Sequence, residues 1–250
     1  MLNLFLLATS AVWRREILHF WRERSRVLGF VGSPLIFWLV IGSGFGDLAR
    51  FFSGALLMSV MFTAVFATMS VIEDRREGFL LAMLASPAPR CAIVIGKVLG
   101  GATMAAVQGL LFLVCLPLTG TPLPLSALPG AAFGLALTGL AFTSMGFWLA
   151  WRSRTPQGFH ALMNIVLMPL WMVSGALFAH DTAHPWMRAL MSVNPLTYFH
   201  AILQRTLLPA STTPAPGLYP SIAITAAAGL LFLTAAIYAV ERRPQGSAVS

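Results

Sequence analysis

Six charged residues of this 250-residue chain fall in one stretch, Glu73 to Arg90, with the sequence EDRREGFLLAMLASPAPR. Glu73, Asp74, Arg75, Arg76 and Glu77 come first and Gly78 follows; Phe79, Leu80, Met83 and Leu84 then recur at the three- and four-residue spacing of one helical face. Pro87 and Pro89 end such a helix, because proline lacks the backbone N–H and restricts the residue before it. The chemistry on offer is docking rather than bond making. An apolar helix face beside fixed charges can enter a cleft on a partner and receive force from it. The competing reading is a solvated basic loop.

Other residue sets suggest chemistry and lack its remaining parts. His180 and His184 have the i, i+4 spacing of a metal pair, with Asp181 between them, but Pro185 disrupts the helix that would align them. Ser59, Ser70, Ser144 and Ser174 are possible nucleophiles in apolar runs, yet no carboxylate accompanies them as an orienting group. Gly96-Lys97 resembles the end of a phosphate-binding loop, but Val98 stands where Ser or Thr is needed and Cys91 occupies the earlier glycine position. Cys91 and Cys115 fall in or beside one apolar run and read as inert packing residues. No catalytic, metal or cofactor site is therefore assigned to the chain.

The elements that carry these residues are set by composition. With 58% hydrophobic and 10% charged residues and a mean hydropathy of +0.80, the chain is read as an all-α integral membrane protein. A helix needs about 20 apolar residues to cross a bilayer, and six runs qualify or nearly so: 27–46, 51–72, 91–118, 125–151, 158–179 and 219–240. An even number of spans places both termini on one side. With the termini inside, thirteen Lys and Arg residues are cytoplasmic, and Arg50, Arg188 and Arg205 are outside. That bias predicts a multi-pass protein with cytoplasmic termini and the 73–90 segment inside. The net charge of +8 fits loops facing anionic lipid rather than nucleic acid.

Residues 1–26 are expected to form an N-terminal helix that stays in the mature protein, since its arginines follow rather than precede the apolar LNLFLLATSAV. Trp13, Ile17, Phe20 and Trp21 share one face, which predicts a helix lying in the membrane interface, or packed on a soluble partner. The membrane domain then covers 27–250. Before its last span, residues 183–208 are expected to form two short outer or re-entrant helices opened by Pro185 and Pro195, with Asn194 as the cap of the second. Pro209, Pro214, Pro216 and Pro220 make a stiff connector. Gly42 with Gly46, Gly96 with Gly100 and Gly130 with Gly134 have the spacing that lets helices approach closely.

None of the eight acidic residues lies mid-span in this topology, which removes the usual site for a coupling proton or sodium ion. His160, the one histidine in a predicted span, sits near the cytoplasmic end and reads as interfacial. Energy must come from outside the chain.

The order of motifs resembles the membrane subunits of type-two ABC transporters, which serve mainly in export. Glu73, Glu77-Gly78, Leu84, Pro87 and Gly96-Lys97 look like that family's acidic, Glu-Gly, leucine, proline and Gly-Lys pattern, and Asn194-Pro195-Leu196-Thr197 matches its outer Asn-Pro-Leu element. Phe79 departs from the family's frequent Thr after Glu-Gly. The resemblance implies six spans, an inner-membrane location and two permease copies, with a homodimer expected. It also implies two cytosolic ATPase subunits that carry ATP and Mg, with 73–90 as the coupling element. The expected cargo is hydrophobic or amphipathic, drug-like or lipid-like, and Trp38, Phe62, Trp148 and Trp171 are candidates to line its path. A lipid-linked polysaccharide is the alternative cargo, and an intramembrane enzyme the alternative class.

Overall fold

In a computed structural model, the chain is described at residues 2–22, 24–122, 125–178, 180, 183–207 and 216–242, excepting the side chains of residues 21, 24–28, 30 and 31. All regular elements among them are helical. They are α1 (Leu2–Arg22), α2 (Arg24–Gly44), α3 (Leu48–Ala67), α4 (Ser70–Arg76), α5 (Phe79–Ala85), α6 (Arg90–Leu113), α7 (Leu128–Arg152), α8 (Pro156–Trp171), α9 (Pro185–Val193), α10 (Pro195–Leu207) and α11 (Leu218–Glu241).

Five segments are long and apolar enough to cross a bilayer: Leu48–Arg76, Arg90–Leu113, Leu125–Arg152, Pro156–Ala176 and Leu218–Glu241. The expected first span is present as α2, but its apolar part among the described residues is the shorter stretch Gly32–Gly44. The expected span 51–72 runs on through α4, so Glu73 to Arg76 belong to a helix end rather than to a loop. The run 91–118 stops being α-helical at Leu113 and finishes in a 3-10 turn, Leu116–Thr119. Apolar composition measures how long a segment can be buried and says nothing of where its backbone tightens.

α3 is the central helix. Every residue from Phe51 through Met61 is buried, as expected of a helix apolar on all sides, and it packs against α2, α6 and α7. α11 is the opposite case. It rests on α7 and α10 and leaves Leu230 and Leu231 exposed, as a helix facing lipid would.

α1 is not an isolated surface helix. It packs along α6 through the stripe Thr9, Val12 and Glu16, which is buried. The notch that receives it is the Gly96–Gly100 pair: a Cβ at Gly96 would lie 2.8 Å from Val12 Cβ, and one at Gly100 would lie 2.6 Å from Glu16 Cβ. Of the face selected from spacing, Ile17 and Phe20 are half-buried and Trp13 is exposed, its indole N–H donating to Thr103 Oγ1 at 3.1 Å. The side chain of Trp21 lies outside the described residues. The helix turns its Glu16 stripe inward because a buried base awaits it.

The two short helices before α11 each open on the expected proline. Pro209 and Pro214 of the connector lie outside the described residues.

Candidate coupling site

The turn from α4 into α5 depends on Gly78, whose φ of +77° lies in the left-handed region that side chains disfavour. Its carbonyl then accepts from Leu81 and Ala82 N–H, which starts α5. α5 has apolar residues on several sides. Leu80 is buried, and Met83 and Leu84 are half-buried against the core. Phe79, Leu81, Ala82 and Ala85 are exposed, flanked by exposed Arg76, Glu77 and Pro87. The expected face is therefore divided. Leu80, Met83 and Leu84 hold α5 to its own bundle, and the surface open to a partner is Phe79 with Leu81, Ala82 and Ala85. Spacing identifies residues that share a face but not the side to which that face turns.

Asp74 also turns inward, so its carboxylate is not presented to a partner. It is buried in a cluster with Arg15, Glu16, Ser70 and Lys97. Lys97 lies about two turns into α6 and uses its three ammonium donors on Asp74 Oδ2 at 2.6 Å, Glu16 Oε1 at 2.7 Å and Ser70 Oγ at 3.0 Å. Arg15 donates from both terminal guanidinium nitrogens to Asp74 and also reaches Glu16 Oε1 at 3.1 Å. Ser70 donates to Glu16 Oε2 at 2.7 Å. Two acids and two bases thus form an electrically balanced set joining α1, α4 and α6. Balance matters here, because an unpaired charge in such a place is far more costly than a paired one.

Further ties fasten the segment to the rest of the bundle. The Arg15 guanidinium stacks over the Phe79 ring at 4.0 Å. Arg75 donates to the carbonyls of Trp151 and Ser153 at 2.8 and 2.9 Å and lies over the Trp151 ring, so it caps the last turn of α7. Arg90 reaches the Glu241 carbonyl at 3.3 Å, at the end of α11. α4 and α5 are thus tied directly to α1, α6 and α7.

At the opposite end of α3, Asn194 explains why the Asn-Pro-Leu motif begins with an amide. Its Oδ1 accepts from Leu196 N–H at 3.0 Å, opening α10, and its Nδ2 donates to the Leu170 carbonyl at 2.6 Å. That carbonyl lies just before a π-helical turn, Met172–Ala176, in which α8 loses its regular ladder. Pro195 follows at the first helical position. α10 then places His200 against α3, where its Nε2 and Ser53 Oγ share a hydrogen bond of 2.9 Å. Burial pushes this imidazole down to about 4, so it is neutral at physiological pH.

Trp38 and Trp171, considered for a cargo path, are buried in the core, and Trp171 donates to the Gly54 carbonyl at 2.9 Å. Trp148 packs beside Phe232 and under Arg152, and Phe62 beside Phe66. His160 is exposed against the Phe66 ring. Asp181 lies outside the described residues, and among those described no group of three or more His, Cys, Asp or Glu could hold a metal. Spacing along the chain does not reveal the cluster around Lys97 as a unit. Its one signal is Lys97 itself, a charge inside an apolar run that requires a partner brought from elsewhere in the chain.

A model of the family described as ABC-2 type transporter matches residues 8–208. No curated protein matches the chain. The matched span takes in α1, the α4–α5 turn, the buried cluster and the Asn194 motif. The chain belongs to the ABC-2 type transporter family, as a multi-pass membrane permease subunit that associates with an ABC ATPase.

Proposed function

We propose that the chain is the permease of an ATP-driven exporter and that its ATPase docks on the outward face of α5. The observation that carries this reading is the Phe79, Leu81, Ala82 and Ala85 surface, mounted on a turn whose neighbours are tied into α1, α6 and α7. A partner gripping α5 would move several helices at once. In this reading α5 and both termini are cytoplasmic in the inner membrane, a second copy of the chain completes a homodimer, and two ATPase subunits carry ATP and Mg. Away from their ends, the five segments long and apolar enough to cross a bilayer carry no charged residue other than Lys97, which supports a hydrophobic or amphipathic cargo moved outward.

The test is Phe79→Ala combined with Leu81→Glu. The pair removes an aromatic anchor and puts a charge into the contact, and truncating a hot-spot anchor costs about 2 kcal/mol or more. Co-purification of a nucleotide-hydrolysing subunit from gently solubilised membranes should fall sharply, while the permease itself accumulates normally. Undiminished recovery of that subunit would remove α5 as the docking site.

A further inference from the structure

We propose that Arg15, Glu16, Asp74 and Lys97 form a latch that makes α1 part of the body moved through α5, so that α1 travels with the α4–α6 corner during the ATPase cycle. The latch rests on the docking reading above for the source of the force.

Its geometry is that of a junction. Apart from Arg15 with Glu16, every ion pair in the cluster crosses between helices: Arg15 on α1 with Asp74 on α4, Lys97 on α6 with Glu16 on α1, and Lys97 with Asp74. Packing leaves no slack, because Glu16 sits over Gly100 and Val12 over Gly96. Arg15 also stacks on Phe79, so α1 contacts the α5 docking surface as well as the corner that supports it. A buried, balanced ion set is rarely more stabilising than well-packed apolar residues of similar volume, but it specifies one relative placement of the parts it joins. Sliding α1 by a helical turn, about 5.4 Å, would separate Glu16 and Arg15 from both partners at once. The cluster therefore suits transmission of movement better than bulk stability.

The complex with its ATPase, in lipid nanodiscs, provides the test. Cys91 and Cys115 are replaced by serine, and spin labels are placed at exposed Leu7 in α1 and exposed Ile165 in α8, a helix with no residue in the cluster. Adding ATP with vanadate should shift the distance between them. In R15Q/E16Q, which frees α1 but leaves Asp74 and Lys97 paired, the shift should vanish although the ATPase subunit stays bound. R15K/E16D, which keeps both charges, should restore it. A shift of parental size in R15Q/E16Q, or none in the parent, overturns the latch; so does a lowered melting temperature with an unchanged shift. Should R15Q/E16Q fail to accumulate, D74N/K97M, which leaves Arg15 and Glu16 paired, should abolish the shift in the same measurement. Failure of both variants to fold would mark the cluster as structural and also overturn the proposal. The docking reading fails separately, through retention of the ATPase by the Phe79→Ala, Leu81→Glu variant.

Discussion

Lys97→Met should destabilise the permease by about 3–5 kcal/mol, the usual cost of removing one partner from a buried ion set. The ammonium is the one group that satisfies Glu16, Asp74 and Ser70 together. Without it, two buried carboxylates share the single positive charge of Arg15. Methionine fills much the same volume, so the loss is electrostatic rather than a cavity. D74N/K97M removes one charge of each sign and leaves Arg15 beside Glu16 at 3.1 Å; it should regain most of the lost stability. The melting temperature of the purified permease in detergent distinguishes the cases. Lys97→Met unfolding with the parent, or the double variant unfolding below the single, would contradict the pairing described here.

Gly54→Leu in α3 should be the most damaging of the packing substitutions, by about 3 kcal/mol, the upper end of what overpacked interiors usually show. A Cβ at this position would lie 2.8 Å from Ala176 Cβ, 2.9 Å from the Ala176 carbonyl oxygen and 3.0 Å from its Cα. Two of those atoms are backbone and cannot rotate away. The Gly54 carbonyl also accepts from the Trp171 indole, so displacing α3 here breaks a buried hydrogen bond and disturbs the π turn where α8 ends. Gly32→Ala in α2 is the control. Among the described residues nothing lies within 4 Å of that Cβ, and relieving glycine's helix penalty changes stability by about 0.5–1 kcal/mol at most. Thermal unfolding of the two variants should separate them clearly; equal effects would mean that α3 and the π turn do not meet as described.

Much of the architecture was legible because a membrane helix declares itself by length and apolarity. The six apolar runs all contain helices, and Pro185 and Pro195 open short ones because the missing N–H is harmless at a first helical position. What composition could not show is direction. Leu80, Met83 and Leu84 share a face, but only the bundle decides that this face turns inward and leaves Phe79 and Leu81 outside. Nor could spacing along the chain pair Glu16 with Lys97, 81 residues apart. In sequence Glu16 lies among arginines, whereas in the fold it meets the Lys97 ammonium. Gly96-Lys97 shows the same limit. Its glycine serves the approach of α1 and its lysine the ion cluster, and neither role follows from the pair's likeness to a phosphate loop.

Docking on α5 requires the ATPase to touch one particular surface of the permease. A photo-crosslinking amino acid can be placed in turn at Leu81, on the open side of α5, at Leu80, on its buried side, and at Trp186, exposed on α9 beyond the far end of α3. After irradiation of membranes holding the assembled transporter, Leu81 should capture the nucleotide-hydrolysing subunit while Leu80 and Trp186 do not. Capture from Trp186, or none from Leu81 in a complex that still hydrolyses ATP, would contradict docking on α5.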